Sequence, residues 1–251
     1  MKELGAFGQT LPEAYHEALI ALWRRGDIVP CPDYNTNQVE LAMTMVVEEP
    51  LAEPMISRLF IGGPRELEQY RQEMLDGILD FEVERGNWPY TYHQRMAAQI
   101  PLVIAELRRN PDSRRAVIDV RDWGRDLGSD DPACLQNIQY FIRDGKLHGK
   151  VLFRSNDACK AAFMNAFALI MLQKRIADEL GVPMGTYTHR ANSFHCYEKD
   201  FPLLMGYVQR ILKRENLTFN YIGEWEYLMD EAKSEIAQTV WKLKGRGSNG
   251  V

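Results

Sequence analysis

Residues 135–154, LQNIQYFIRDGKLHGKVLFR, contain a strong local signal for a β-hairpin. Two runs rich in apolar, aromatic and β-branched residues, 135–142 and 150–154, are separated by the turn Arg143-Asp144-Gly145-Lys146. An Asp-Gly pair between two such runs is typical of a tight turn that joins antiparallel strands. We therefore predict a pair of antiparallel strands at this point of the chain.

Helices and further strands are predicted on both sides of this hairpin. Helical spacing of apolar residues predicts helices over residues 11–25, 65–79, 100–109, 161–180 and 201–213. Alternation and β-branched residues predict strands over residues 39–47, 116–120 and 186–197. Because hairpins interrupt any regular βαβ rhythm, we expect an α+β fold in a single domain spanning residues 1–251. The last residues, GRGSNGV, are expected to be frayed.

Composition and charge exclude several classes of protein. With 45% hydrophobic and 26% charged residues, the 251-residue chain is unlike disordered, collagen-like or coiled-coil sequences. A net charge of -5 argues against bulk nucleic-acid binding, which depends on cations that neutralise phosphates. The chain has no run of 18 apolar residues and no apolar signal-peptide core. The four cysteines form no CxxC pair, so we expect free thiols and a cytoplasmic protein without a membrane partner.

Cys134 is a candidate nucleophile just before the predicted hairpin. A lone cysteine is usually a small buried hydrophobe, but a nearby cation lowers the pKa of a thiol and makes it nucleophilic. Arg154, at the end of the partner strand, is placed to supply that charge. From these residues alone, both interpretations stay open.

Two polar clusters are candidate anion sites. Arg114 and Arg115 form either a solvated turn or a phosphate clamp, since paired guanidinium groups match phosphate oxygens. Arg154-Ser155-Asn156-Asp157 precedes the apolar helix predicted over residues 161–180. This second cluster forms either a helix cap or an anion site at a helix N-terminus.

Three further side chains stand out. His195 and Tyr197 share one face of a predicted strand, although a lone strand histidine is more often structural than catalytic. Asn165 is an amide inside an otherwise apolar helix. Because a buried amide needs hydrogen-bond partners, it contacts either a ligand edge or another side chain.

The order and spacing of these motifs resemble the thymidylate synthase superfamily, including the deoxynucleoside-monophosphate hydroxymethylases of phages. Cys134 follows Arg115 by nineteen positions and precedes Arg154 by twenty, and Asn165 and His195 follow after eleven and thirty more. AELRRNPDSRR, QYFIRDGKL and FRSND are similar to the phage enzymes. YTYHQR, CLQ and the short chain are similar to small archaeal thymidylate synthase-like proteins.

The resemblance implies a fold and a covalent mechanism. The fold is a twisted mixed β-sheet with flanking helices, packed against the sheet of a dimer mate. Cys134 attacks C6 of a pyrimidine nucleotide, and C5 then takes the one-carbon unit of the cosubstrate 5,10-methylenetetrahydrofolate, with no metal. Glu66 relays protons through water, Tyr92 is an active-site tyrosine, and Arg154 lies close to the thiolate.

The resemblance also implies the residues that hold the substrates. Arg154 and Ser155 bind the phosphate, and His195 and Tyr197 bind the sugar 3′-hydroxyl. Asp157 binds the pterin ring. Arg114 and Arg115 reach the phosphate bound by the partner subunit, so we expect a homodimer with shared active sites.

The resemblance leaves the product open but favours one base. Leu135 stands where typical synthases carry histidine, Ser193 stands where they carry aspartate, and the tail is unlike their closing tail. An active site that closes and excludes water favours a methyl product, whereas an active site that admits water gives a hydroxymethyl product. Asn165 matches the asparagine of dUMP enzymes rather than the aspartate of dCMP hydroxymethylases. We therefore expect conversion of dUMP to dTMP. The alternatives are a 5-hydroxymethylase of dUMP, dCMP or CMP, a non-catalytic nucleotide-binding homologue and, without a basic stripe to support it, an RNA-binding regulator.

Overall fold

The computed structural model describes residues 1–246, in which helices pack against a mixed β-sheet. The strands in chain order are β1 (Glu3–Gly8), β2 (Asp27–Cys31), β3 (Thr36–Val47), β4 (Ile56–Ser57), β5 (Val117–Asp119), β6 (Leu135–Arg143), β7 (Lys146–Asp157), β8 (Met184–Tyr197) and β9 (Thr218–Phe219). The helices are α1 (Leu11–Arg25), α2 (Pro64–Asp76), α3 (Phe81–Glu84), α4 (Tyr92–Met96), α5 (Ile100–Arg109), α6 (Trp123–Asp126), α7 (Ala162–Leu180), α8 (Phe201–Leu212) and α9 (Glu226–Arg246).

The main sheet combines parallel and antiparallel neighbours. Its strand order is β1-β3-β8-β7-β6-β5, with β2 also paired to β3, whereas β4 and β9 form a separate antiparallel pair. β1 runs parallel to β3 and β7 runs parallel to β8, while the other pairs are antiparallel. Parallel neighbours need a crossover connection, and α7 provides it between β7 and β8. The expected α+β class with a mixed sheet and flanking helices is confirmed.

Helix α7 lies in the middle of the core. It packs against β7 and β8 of the sheet and against α2 and α5 on its other side, which explains why its sequence is apolar almost all round. Phe163, Phe167 and Ile170 are all nearly inaccessible to solvent. Burial of each such side chain contributes about 1.5–3 kcal/mol. The helix is therefore a rigid support for Asn165, the amide that it carries.

The hairpin is confirmed, with a longer second strand than the sequence indicates. Arg143 pairs with Lys146, so only Asp144 and Gly145 form the loop. Both have positive φ angles, 51° and 71°, which are the angles of a tight two-residue hairpin turn. β7 consequently begins at Lys146 rather than at residue 150.

The sequence-based prediction lacks eight elements, the strands β1, β2, β4 and β9 and the helices α3, α4, α6 and α9. β1 and β2 lie outside the predicted strands, since β1 carries glycines at positions 5 and 8 and β2 carries Pro30, residues that are rare inside strands. β2 pairs only with β3, so Pro30 breaks no second ladder. The largely exposed helix α9 has no strong apolar stripe and ends at Arg246. Of the segment predicted to be frayed, residues 247–251 lie outside the described residues.

The helix predicted over residues 65–79 ends earlier, at Asp76. Gly77 follows with a left-handed φ of 64°, a common way to end a helix. Within residues 1–246, no helix combines the length and the apolar character needed to cross a bilayer.

Candidate active site

Cys134 lies directly before β6, beside Arg154 on β7. The backbone N–H of Arg154 donates to the carbonyl of Cys134 at 2.8 Å, and the adjacent residues Leu135 and Phe153 are paired. The guanidinium of Arg154 donates to the carbonyls of Pro132 at 2.7 Å and Ala133 at 3.2 Å. Arg154 therefore holds the loop that carries the cysteine, and the predicted proximity of these two residues is confirmed.

The environment of the Cys134 thiol has opposing effects on its pKa. Burial has the largest effect and raises the pKa of Cys134 above its ordinary value. Arg154 lowers this pKa, as the sequence suggested, while the carboxylate of Asp131 raises it. Burial and Asp131 together outweigh Arg154, so the net effect is a raised pKa for Cys134.

A cavity of about 310 Å³, whose wall includes Tyr70, Tyr90 and Tyr92, lies near the loop that carries this cysteine. The hydroxyl of Tyr92 accepts a hydrogen bond of 3.4 Å from the backbone N–H of Leu135, which links the cavity wall to the start of β6. Burial raises the pKa of Tyr92 and of Tyr70, and it raises the pKa of Tyr90 to about 12. All three tyrosines are therefore neutral hydrogen-bonding groups at physiological pH.

Tyr70 connects this cavity to Asn165. It projects from α2, and its hydroxyl donates to Oδ1 of Asn165 on α7. Asn165 is only 5% exposed, and a buried amide needs a hydrogen-bond partner. The hydroxyl of Tyr70 is that partner. Sequence reasoning missed Tyr70, because its partner lies 95 positions away and the helix around it reads as a charged surface helix.

Two carboxylates share the face of α2 that carries Tyr70. Glu66 lies four positions before it and Glu73 lies three positions after it, the spacing of side chains on one helix face. Glu66 is exposed, and its Oε2 accepts from the backbone N–H of Gly63 at 2.8 Å, which satisfies one donor at the start of α2. Glu73 lines the cavity, and burial raises its pKa. The residues lining the cavity thus include Glu73 and not Glu66.

The predicted sugar-binding and phosphate-binding residues come together at the ends of β7 and β8. These strands are parallel, with Ser155 opposite Ser193 and Asp157 opposite His195. Oγ of Ser155 lies 3.4 Å from Nδ1 of His195, and the rings of His195 and Tyr197 are 4.8 Å apart. Ser155, His195 and Tyr197 therefore form one cluster.

His195 has an unused ring nitrogen in this cluster. Nδ1 lies 3.3 Å from the carbonyl of Ser193, so this nitrogen carries the proton of a neutral ring. Burial lowers the pKa of His195, which favours that neutral form. Nε2 is buried and has no hydrogen-bond partner within residues 1–246.

Asp157 has a structural function at the end of β7. Its Oδ1 accepts from the backbone N–H groups of Cys159 at 2.9 Å and Lys160 at 3.0 Å. The carboxylate thus stabilises the turn that leads into α7, but it does not cap the helix, whose N-cap residue is Ala161. Asp157 is not among the residues that line the cavity.

Arg114 and Arg115 lie on an exposed segment just before β5. Their backbones are fixed, because the carbonyl of Arg114 accepts from Gln139 at 2.9 Å and the N–H of Arg115 donates to Ser113 at 3.1 Å. Neither guanidinium makes a hydrogen bond or an ion pair with residues 1–246. Within residues 1–246, no hydrogen bond or ion pair connects these two guanidinium groups to the loop that carries Cys134.

The remaining cysteines and the acidic groups offer no second obvious chemistry. Cys31, Cys159 and Cys196 are free thiols like Cys134. Cys159 and Cys196 are buried, with their sulfurs 3.7 Å apart. In the part of the chain that the structure describes, no group of three His, Cys, Asp or Glu side chains is arranged to hold a metal ion.

Comparison with known proteins identifies the family. The family model described as "Thymidylate synthase" matches residues 67–231. This chain belongs to the thymidylate synthase family. A Methanocaldococcus jannaschii protein that is provisionally named a thymidylate synthase is 31% identical over 218 residues, covering 81% of this chain and 96% of that protein. Membership in this family indicates that the protein is an enzyme that transfers one-carbon units.

A phage protein and a solved structure extend this comparison. The deoxyuridylate hydroxymethyltransferase of Pseudomonas phage M6 is 32% identical over 154 residues, which cover 58% of this chain and 44% of that protein. The structure of thermostable thymidylate synthase A from Bacillus subtilis matches with a TM-score of 0.64 at 15% identity, covering 80% of this chain and 84% of the other. That match confirms the expected thymidylate synthase-like fold.

Proposed function

We propose that this enzyme transfers the one-carbon unit of 5,10-methylenetetrahydrofolate to C5 of dUMP and forms dTMP. The observation that carries the proposal is that two tyrosines of one cavity wall connect to the candidate groups: Tyr92 contacts the residue after Cys134, and Tyr70 is hydrogen-bonded to Asn165. Arg154 holds the loop that carries Cys134. A nucleophile, a cation beside it and a buried amide are the groups that covalent activation of a pyrimidine requires.

The cysteine would activate the base by covalent addition. The thiolate of Cys134 forms a bond to C6, and the electron pair of the C5–C6 double bond moves toward C5 and O4. C5 then forms the new carbon–carbon bond, and loss of its proton to a base would break the bond between the transferred carbon and the folate nitrogen, which leaves with that electron pair. Addition of a hydride, or of water in the second candidate function, to the transferred carbon would return an electron pair to C5. Elimination of the Cys134 sulfur from C6 finally restores the double bond and the free enzyme.

Folate fits the character of the cavity wall. Trp88 and Tyr90 offer flat aromatic surfaces, and Glu73 offers a half-buried carboxyl group, for a planar ring with hydrogen-bonding edges. Bound methylenetetrahydrofolate would supply the methylene carbon. For a methyl product it would also supply a hydride, and loss of that hydride would convert the folate into dihydrofolate. Asp157 stays a prediction for the pterin, although its Oδ1 already stabilises the turn before α7.

A carboxyl group on α2 would manage the proton transfers. Because burial raises the pKa of Glu73, this group can hold a proton nearer to neutral pH than an exposed glutamate can. We favour Glu73 for this role on the ground that it lines the cavity. The catalytic role of Glu66 stays a prediction, and a comparison of Glu66→Gln with Glu73→Gln tests it.

The cluster at the ends of β7 and β8 would hold the rest of the nucleotide. Arg154 and Ser155 would bind the phosphate. Nε2 of His195 would accept a hydrogen bond from the 3′-hydroxyl, because the buried lone pair has no partner within residues 1–246. Tyr197, whose ring contacts that of His195, would be the second sugar contact.

Binding of the phosphate by a second subunit would complete the site. The guanidinium groups of Arg114 and Arg115 are exposed and make no ion pair in the described chain, which leaves them available to a partner. We therefore propose a homodimer in which these arginines reach the phosphate bound by the partner subunit.

Hydroxymethylation is the second candidate function. The similarity to the deoxyuridylate hydroxymethyltransferase of Pseudomonas phage M6 favours it. In that case water adds to the methylene carbon, and folate leaves as tetrahydrofolate without supplying a hydride. The substrate would be dUMP, or dCMP or CMP if the base pocket accepts cytosine.

Product analysis tests the proposal. The enzyme is incubated with methylenetetrahydrofolate and either dUMP or dCMP, and the nucleotide product is weighed by mass spectrometry. Conversion of dUMP to a methylated nucleotide with formation of dihydrofolate supports the proposal. A hydroxymethylated nucleotide with tetrahydrofolate supports the second candidate, and the absence of any C5 product would contradict both.

A further inference from the structure

Asn165 lies behind the cavity wall, hydrogen-bonded to the lining residue Tyr70, and the two ends of its amide are not equivalent. Oδ1 accepts a hydrogen bond from the hydroxyl of Tyr70, and Nδ2 makes no hydrogen bond with residues 1–246. Nδ2 is also absent from the fully buried polar atoms without a partner, so it is at least partly accessible. The free donor end of the amide is therefore the end available to a ligand.

The proton of Tyr70 selects this orientation of the amide. Oδ1 of Asn165 is the acceptor that the structure provides for this hydroxyl within residues 1–246. Burial and the nearby Glu73 carboxyl raise the pKa of Tyr70, so the hydroxyl stays a donor at neutral pH. A rotated amide would present Nδ2 to the same hydroxyl and leave the tyrosine proton without its acceptor, which is unfavourable in a buried site.

We propose that Tyr70 is a positioning residue that fixes the Asn165 amide with its NH₂ toward the base, and that it thereby makes the site select uracil over cytosine. The inference rests on the proposed function, in which Asn165 reads the base. It adds to that function the residue that removes the amide's freedom to rotate.

The selection follows from donors and acceptors. Uracil presents an acceptor at O4, which the NH₂ of a fixed amide can satisfy. Cytosine presents an amino group at the same place, so two donors face each other and at least one stays unpaired. Without the Tyr70 hydroxyl, the amide can rotate by 180° and offer its carbonyl oxygen to the cytosine amino group. Tyr70 thus determines the specificity of a residue that by itself fits either base.

The experiment measures equilibrium dissociation constants for dUMP and dCMP by titration calorimetry, without folate. For the wild type, we expect dUMP to bind about tenfold to a hundredfold more tightly, the discrimination expected from an unpaired buried donor. In Tyr70→Phe, we expect the ratio of the two constants to fall roughly tenfold, mainly through tighter binding of dCMP. Tyr90→Phe is the matched control, because it removes a hydroxyl from the same cavity without touching Asn165. Its ratio should stay within about twofold of the wild type.

A double-mutant cycle separates positioning from a general loosening of the site. In an Asn165→Ala background, Tyr70→Phe should leave the ratio unchanged, because there is no amide to orient. Should Tyr70→Phe be poorly folded by circular dichroism, Tyr70→Met also lacks the hydroxyl proton and makes the same prediction.

The outcomes distinguish this inference from the proposed function. Formation of a covalent adduct between wild-type Cys134 and 5-fluoro-dUMP, with an unchanged ratio in Tyr70→Phe, would overturn only the role of Tyr70. A wild type that forms no adduct and binds neither nucleotide would overturn both. A ratio that falls in Tyr70→Phe but holds in Tyr90→Phe and in the Asn165→Ala background supports the inference.

Discussion

The two ends of the candidate active site are built in different ways. At the base end, Tyr70 is hydrogen-bonded to Asn165, and Arg154 holds the loop that carries Cys134. All of these contacts lie within one chain. At the sugar and phosphate end, Arg114 and Arg115 are exposed without ion pairs in the described residues, and Nε2 of His195 has no partner there. Under the proposed function, the difference means that base recognition is preorganised by the fold, whereas sugar and phosphate recognition would be completed by the ligand and by a second subunit.

Replacement of the nucleophile tests the base end with the largest expected effect. Cys134→Ser should reduce turnover of dUMP by roughly 10⁴-fold or more, because a hydroxyl is a much weaker nucleophile toward C6. Nucleotide binding should survive, since the serine is nearly the same size. Turnover is followed by product mass and binding by calorimetry. A fully active serine variant would rule out covalent catalysis by Cys134, while Cys31→Ser should be active and serves as the control.

The two carboxylates on α2 sharpen the description of the base end. Glu73→Gln should reduce kcat by about 10²-fold, the usual contribution of a positioned general acid or base. Glu66→Gln should change kcat by less than about tenfold, since the glutamine oxygen can still accept from the backbone N–H of Gly63. The pH dependence of kcat should lose one limb only in the variant that removes the proton-transfer group. A larger loss in Glu66→Gln would return the catalytic role to the residue that the family resemblance indicated.

Hybrid dimers test the phosphate end. Arg115→Ala should lower kcat/KM by roughly tenfold to a hundredfold, because a charge-assisted hydrogen bond contributes about 1.5–3 kcal/mol. When inactive Cys134→Ser and impaired Arg115→Ala subunits are mixed and exchanged, a hybrid dimer contains one site with both residues intact. Random pairing makes about half of the dimers hybrids, so activity should return to roughly a quarter of wild type. No recovery after demonstrated subunit exchange would place the arginines outside the partner's site.

The ionisation of Cys134 gives the smallest effect, a shift along the pH axis. Its rate of alkylation by iodoacetamide should rise with pH through the neutral range, because the thiolate reacts and burial raises the pKa of Cys134. The Asp131 carboxylate also raises this pKa, so Asp131→Asn should move the profile to lower pH. Exposed Asp130 is the matched control, and Asp130→Asn should leave the profile in place. A shift to higher pH in Asp131→Asn would mean that the electrostatic description of the thiol is wrong.

Local sequence patterns predicted the contacts that depend on strand register and helix periodicity. The Asp144-Gly145 turn indicated that Cys134 and Arg154 lie near each other, although a register shift between Leu135 and Asn137 sets their final pairing. Strand alternation put His195 and Tyr197 on one face. The Tyr70–Asn165 contact could not be predicted in this way, because it joins α2 to α7 through tertiary packing. The motif around Asp157 allowed two interpretations, and its hydrogen bonds to the turn before α7, which are tertiary details of one loop, could not be predicted from the motif alone. The edge strands escaped prediction because Gly5 and Pro30 are atypical of strands and are tolerated where pairing is one-sided.

Trapping of the covalent complex tests the central claim most directly. The enzyme is incubated with 5-fluoro-dUMP and methylenetetrahydrofolate, digested, and analysed by peptide mass spectrometry. A base can remove a proton from C5, but it cannot remove fluorine from the same position. The account therefore predicts a stable adduct of nucleotide and folate on the peptide that contains Cys134. The same treatment of Cys134→Ser should give no adduct. An adduct on Cys31, Cys159 or Cys196, or none on a protein that still converts dUMP, would contradict the account.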